Sequence, residues 1–321
     1  MANDSEHVEN GIIHYKTESS GLITIDLALA NELFVTSRCA NFKQAARSLN
    51  VAVVGLRKRL ENLEVRLGAP VFVYKQNKLV LTRAGQRLCD HIVSAFRHDR
   101  LNGSSERQTS QFRIAVAEPV LSDIVCRELI TFIREHAETR LEILSDDVLH
   151  QISEGAVDIA VFLSGTGGPA MNEPDRYVIE KLGTVGYSLF ISSRYARASL
   201  LPEDDADLGN YMLVLPPKSV APAQTSALNS LTQNHQGGST KVESYALARA
   251  LVVGGACVGV LPDYSRNIEK NIMALPGFLQ GLEESSIYIA IKIELIHDPE
   301  ITKIAKLIRK SFLDKQDWLR Y

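Results

Sequence analysis

Between positions 25 and 97 the apolar residues recur first at helical spacing and then in alternation. Leu27, Ala30, Leu33 and Phe34 form one stripe, which predicts a helix from about Ile25 to Ser37. Phe42, Ala45, Ala46 and Leu49 form a second, capped by Asn41 and broken at Asn50, and Leu56, Leu60, Leu63 and Leu67 form a third that ends at Gly68. Two short amphipathic helices joined by a tight turn make a helix-turn-helix, a unit that docks on duplex DNA. Val71–Tyr74 and Leu79–Leu81 then read as the strands of a small hairpin with Lys75 and Lys78 at its tip, a basic wing. Thr82 can cap a further helix that carries Leu88, Ile92, Ala95 and Phe96 on one face.

The run from Asp99 to Gln111 is polar and reads as a boundary, and beyond it strands and helices alternate. Phe112–Val116, Leu141–Leu144 and Ile159–Phe162 are strand-like, with helices over Val120–Arg134 and Val148–Gly155 between them, which gives βαβαβ. A second set follows: strands at Tyr187–Ile191 and Met212–Leu215, a helix from Tyr245 to Gly254, and a strand at Cys257–Leu261. Ile287–Ile291 reads as a strand that returns to the first set, and Asp298–Pro299 opens a final helix with Ile301, Ile304, Ile308 and Phe312.

Composition narrows the reading only through charge. The chain has 321 residues, 45% apolar and 23% charged, enough for two or three domains. Its net charge of -3 hides an asymmetry: residues 25–97 hold 12 Lys and Arg against 5 Asp and Glu, so a basic module sits on an acidic body. Cys39, Cys89, Cys126 and Cys257 lie far apart without metal-ligand spacing, and are expected to be reduced and structural. No apolar run is long enough to span a membrane, and Met1–Thr24 is acidic with no apolar signal core, so a cytoplasmic protein with a mobile extension over residues 1–24 is expected.

The ordered set Phe42, Ala45-Ala46, Leu49, Val51, Leu56, Leu63-Glu64, Leu67-Gly68, Val71-Phe72 and Leu81-Thr-Arg-Ala-Gly85 resembles the winged helix-turn-helix of the LysR-type transcriptional regulators. Gly155–Ala160, Leu215-Pro-Pro217 and Gly254–Pro262 continue the resemblance, which covers roughly residues 25 to 312. It implies an α+β winged helix-turn-helix domain over 25–82, a linker and dimerisation helix over 83–98, and a hinge over 99–111. An effector domain over 112–315 would follow, two-lobed, α/β, and similar to periplasmic binding proteins. Lobe I would span about 112–162 and 263–315, and lobe II about 163–262, with crossovers near Phe162–Ser164 and Gly259–Pro262. The implied partners are double-stranded DNA, a small-molecule effector, and further copies of the chain as a dimer or tetramer paired through Leu88, Ile92 and Phe96, with RNA polymerase a further candidate. No cofactor or metal is implied.

The third helix departs from the family pattern. Where LysR-type chains usually open it with Ser-Gln-Pro/Ser-Ala, this one has Ala52-Val-Val-Gly55, so the Ser cap is missing at a cost of about 1 kcal/mol. Val53 and Val54 offer thymine-methyl contact and no hydrogen bond. Val54, Lys58 and Asn62 fall on the face opposite Leu56, with Arg57 and Arg59 on its flanks, and the three basic residues either read guanine or grip phosphate. Lys43 and Gln44 of the second helix reach phosphate or form a solvated face. An alternative follows: weakened base reading, with exposed valines pairing the chain to another regulator.

Between the implied lobes, candidate effector contacts are Ala117, Glu118, Ser164, Gly165, Pro216 and Ser244. Ser244 opens a helix and serves either as its N-cap or as a ligand contact. Glu118 would repel an anionic effector, so it favours a neutral or cationic ligand, a bridge to a lobe residue, no ligand, or service to its own helix N-terminus. Catalysis is not expected. His136, His150, His235 and His297 are scattered, Asp146-Asp147 reads as a helix start, and Leu163–Pro169 is glycine-rich without the ending of a phosphate loop.

Overall fold

A computed structural model describes residues 8–9, 12–16, 22–102, 111–137, 139–165, 168, 176–198, 201–215, 217, 226–278 and 284–320. The chain opens with strands β1 (Val8–Glu9), β2 (Ile12–Lys16) and β3 (Leu22–Asp26), paired antiparallel in that order. Over residues 8–9, 12–16 and 22–24 this corrects the expectation of a mobile extension. Alternation in β2 and β3 sends Ile13, Ile23 and Ile25 inward, all buried, so the segment has an apolar face of its own. Residues 1–7, 10–11 and 17–21 lie outside the described ones.

Helices α1 (Leu27–Ser37), α2 (Phe42–Leu49) and α3 (Val53–Leu67) follow, then the wing strands β4 (Phe72–Lys75) and β5 (Lys78–Leu81), and helix α4 (Arg83–Asn102). Asp26 caps α1, so this helix starts two residues later than its stripe suggests, because Ile25 belongs to β3. Asn41 caps α2, and Asn50 ends it in the left-handed conformation that Asn tolerates. The wing turns on Gln76 and Asn77, both at positive φ, as a two-residue hairpin requires. Thr82 accepts from the Gly85 amide and donates to the Pro70 carbonyl, tying the start of α4 to the wing. A Cβ at Gly85 would stand 2.5 Å from the Val71 carbonyl oxygen, so only glycine lets α4 approach so closely.

Among the described residues the body has two five-stranded sheets. Lobe I holds β6 (Gln111–Val116), a helical run made of α5 (Glu118–Val120), a π-helical turn (Leu121–Val125) and α6 (Cys126–Glu135), then β7 (Arg140–Leu144), α7 (Val148–Ser153), β8 (Ile159–Gly165) and β9 (Tyr177–Val185). Lobe II holds β10 (Tyr187–Ser192), α8 (Ser193–Arg197), α9 (Asp205–Leu208), β11 (Leu213–Leu215), α10 (Ser226–Asn234), β12 (Ser239–Lys241), α11 (Tyr245–Val253), β13 (Val258–Pro262), α12 (Ser265–Ile268) and β14 (Ile272–Ala274). The chain then returns to lobe I as β15 (Ser285–Lys292), a 3-10 turn (Ile293–Leu295) and α13 (Pro299–Leu313).

Sheet orders are β7-β6-β8-β15-β9 and β12-β11-β13-β10-β14. The crossovers therefore lie at Val185–Tyr187 and between Ala274 and Ser285, which moves both lobe boundaries from their expected places. β9 pairs with β15 along its whole length, so 177–185 belongs to lobe I; β14 pairs with β10, so 272–274 belongs to lobe II.

Helix α4 corrects the expected dimerisation face. Leu88 and Ile92 are fully buried inside this one chain, among a core that takes Ile13, Ile23 and Ile25 from the N-terminal sheet, Leu33 and Phe34 from α1, and Val178, Ile293 and Ile296 from lobe I. His91 reinforces the contact, its Nε2 donating to the His14 carbonyl oxygen at 2.9 Å and its ring meeting Tyr15 edge-on. The side chain of Phe96 lies outside the described residues, as do residues 103–110 of the expected hinge; residues 99–102 are helical. Leu88→Ala is expected to lower the unfolding free energy by about 2–5 kcal/mol in urea denaturation, with the mass of the folded protein by light scattering unchanged. Loss of association at unaltered stability would instead place Leu88 between subunits.

Candidate functional site

The exposed face of α3 is the candidate reading surface. Leu56, Leu60, Leu63 and Leu67 turn inward, which leaves Val54 at 79% exposure beside exposed Arg57, Lys58 and Asn62, with Val53 half-buried. No side chain caps the helix at Ala52, as the sequence suggests. Arg57 lies over the Phe42 ring, 5.1 Å from its centroid, so α2 braces it. Arg59 is committed elsewhere: its guanidinium forks onto the buried Glu32 carboxylate of α1, with Nε donating at 2.7 and 2.9 Å. It positions α3 against α1, a role that sequence spacing alone did not separate from DNA contact.

Lys43 and Gln44 are exposed on α2, and the Gln44 Oε1 accepts from the Ala40 amide at 2.9 Å, completing the helix start. Lys75 and Lys78 face each other, exposed, at the wing tip.

The second candidate site lies where the lobes meet. Glu118, the first residue of α5 in lobe I, reaches the N-terminus of α11 in lobe II. Its Oε1 accepts from Ser244 Oγ at 2.8 Å and from the Ala246 amide at 3.2 Å, and its Oε2 accepts from the Tyr245 amide at 2.7 Å. Ser244 also caps α11 in the ordinary way, accepting from the Leu247 amide at 3.3 Å. The structure thus brings together Glu118 and Ser244, as partners of each other.

One turn further along lobe I, Asp123 makes a second bridge that sequence reading missed. Its buried carboxylate accepts from Tyr245 Oη at 2.5 Å and pairs with Arg249. Burial pushes the Asp123 carboxyl up, against the opposing pull of Tyr245 and Arg249, and burial likewise raises the Tyr245 phenol. A lone Asp in an amphipathic helix carries no sequence signal of this kind; only the meeting with α11 reveals it. Tyr264 of lobe II donates to the Pro119 carbonyl at 3.3 Å.

The other expected contacts stand apart. Ser164 donates to the Gly168 carbonyl at 2.7 Å, Gly165 pairs with Ser285 in the lobe I sheet, and Ala117 is buried, its amide donating to the Val161 carbonyl at 2.8 Å. Pro216 lies outside the described residues. Burial raises the Cys39 thiol to about 11 and the Cys89 thiol to about 12, which keeps both protonated at neutral pH.

A winged head with an exposed basic helix, joined to a two-lobed α/β body, defines a DNA-binding regulator with a sensing domain. Residues 32–86 match the family described as bacterial regulatory helix-turn-helix protein, lysR family, and residues 105–311 match the LysR substrate binding domain. The chain belongs to the LysR family and is a LysR-type transcriptional regulator with a DNA-binding helix-turn-helix and an effector-binding domain. The probable cat1 operon transcriptional activator of Acinetobacter lwoffii is 23% identical over 308 residues, covering 92% of this chain and 99% of its own. Among solved structures, full-length LysG of Corynebacterium glutamicum is 14% identical with a TM-score of 0.46, covering 89% of this chain and 96% of its own. ArgP of Mycobacterium tuberculosis is 14% identical with a TM-score of 0.46, over 90% and 97%. Among the described residues no helix is long and apolar enough to cross a membrane.

Tyr245→Phe leaves the buried Asp123 short of a donor and is expected to cost about 1–3 kcal/mol in thermal unfolding. An unchanged melting midpoint would show that this bridge does not hold the lobes together.

Proposed function

We propose that α3 reads duplex DNA through Val54, Arg57, Lys58 and Asn62, with Lys43, Gln44, Lys75 and Lys78 gripping the flanking phosphates, and that Arg59 acts from behind by fixing α3 on α1. The observation that carries this is the exposed α3 face itself, basic and apolar together, left open while α1, α2 and α4 pack on lobe I. Lys58 and Arg57 supply the salt-dependent grip, and Val54 offers a methyl surface to thymine. The protein works in the cytoplasm as a homodimer or homotetramer, contacts RNA polymerase when it activates, and catalyses nothing. Association uses a surface other than Leu88 and Ile92, which its own core consumes.

The lobes form the sensing part, and β9 links them to the head. The Asn31 side chain of α1 accepts from the Ile179 amide of β9 at 2.8 Å, and the same strand leads through Gly186 into β10 of lobe II. Rotation of lobe II about that crossover acts on the strand that holds α1.

Selection of bound duplexes from a random library at near-physiological salt tests the reading, with a dyad motif as the expected result. Recovery of no motif would make the chain a general electrostatic binder. In anisotropy titrations across a salt series, Lys58→Ala should weaken binding to every duplex and lower the salt slope by about 0.9. Arg59→Ala should lower the melting temperature, since Glu32 is then buried without its cation. Unaltered affinity and slope for Lys58→Ala would mean that α3 does not face the duplex.

A further inference from the structure

The N-terminus of α11 is satisfied from another lobe. Its first-turn donors are the amides of Tyr245, Ala246 and Leu247; Ser244 takes the third, and Glu118 takes the first two together with the Ser244 hydroxyl. Both carboxylate oxygens of Glu118 are engaged, which is the arrangement a helix end with a flanking hydroxyl offers to a free carboxylate. The neighbouring Asp123 bridge to Tyr245 and Arg249 holds the same two elements in register, so the contact is built rather than incidental.

We propose that the start of α11 is a carboxylate-binding cradle whose resident occupant is the chain's own Glu118. A tethered carboxylate takes the place of a dissociable one, and the lobes are drawn together with no small anion bound. The cradle selects one carboxylate group, and it accepts a free monocarboxylate only when Glu118 is withdrawn. The proposal rests on the sensing reading above only where closure is tied to DNA binding.

Glu118→Ala keeps Cβ and removes the atoms that acetate would restore, a methyl and a carboxylate. The chain also carries its own reporter: its single tryptophan, Trp318, follows α13 of lobe I and stacks on Tyr264 of lobe II, ring centroids 6.4 Å apart. Full-length protein would be titrated with sodium acetate against sodium chloride at equal ionic strength, following the melting temperature and Trp318 emission. Glu118→Ala is expected to melt lower by on the order of 5 °C, and acetate in the millimolar range, but not chloride, should recover part of that loss and of the emission. Wild type should respond to the two salts alike. Glu118→Gln, which keeps the bulk of the side chain, should melt lower with no acetate response, and it keeps the test decisive if the alanine variant folds poorly. Wild-type melting in both variants, or an equal acetate effect on wild type and Glu118→Ala, would overturn the proposal. Duplex binding by Glu118→Ala with and without acetate separates the two readings: rescue of melting and emission with no change in duplex binding leaves the cradle standing and removes the sensing role.

Discussion

Burial of the apolar face of α4 is the constraint on which the arrangement of the molecule depends. Leu88, Ile92 and Val93 face into one core shared by the N-terminal sheet, the helix-turn-helix and lobe I. Each such side chain stabilises by about 1.5–3 kcal/mol when taken fully out of water. Withdrawing the head from lobe I would re-expose Val178, Ile293 and Ile296 along with the partners they cover. The polar contact at the rim, Asp90 with the His297 ring at 3.8 Å, is half-exposed and adds little. The position of the head is set by apolar area, and charge only decorates its edge.

Given that core, β9 has two duties. It is the edge strand of the lobe I sheet, so one side of its backbone needs a partner outside the sheet. Asn31 supplies it at Ile179, from the middle of α1. At its other end β9 runs without a loop into lobe II, where Gly186 lies against the Asp263 carboxylate. A strand pinned at one end to the head and continuous at the other with lobe II has few ways to absorb a lobe rotation. Under the proposed sensing role, such a rotation would act on α1, and the Arg59–Glu32 fork ties α1 to α3.

Local signals made the head legible from sequence. The stripes of α1 to α3, the Asn50 and Gly68 stops and the two-residue wing turn each act within a few residues, and they stand where the pattern puts them apart from the later start of α1; the Asp298 cap in lobe I does the same. What escaped was decided at long range. The hairpin of β2 and β3 is a five-residue alternation in an acidic stretch, too short to stand out until α4 covers it. Only pairing with β15 assigns β9 to lobe I, since its run of apolar residues fits either lobe. The dimerisation face of α4 was misplaced for the same reason: a stripe shows that a surface is covered and is silent about which chain covers it. At the site, Glu118 and Ser244 stood out as candidates, but 126 residues separate them, and their bond to each other depends on how the lobes meet.

The departure of α3 from the family pattern and the Glu118 contact with α11 concern the same physical object, the positive end of a helix. In α3 the Ser cap is replaced by Ala52, so the first-turn N–H groups have no side-chain acceptor and the helix end is exposed. Such groups are suited to a phosphate oxygen, and a duplex supplies one that water otherwise replaces. In α11 the cap is kept and a carboxylate is added from lobe I, so that end is saturated within the chain. A helix end that lacks its own cap gains most from an external anion, and one that already holds a carboxylate gains least. By that argument the head of this protein is more dependent on its nucleic-acid partner than the start of α11 is on a free anion.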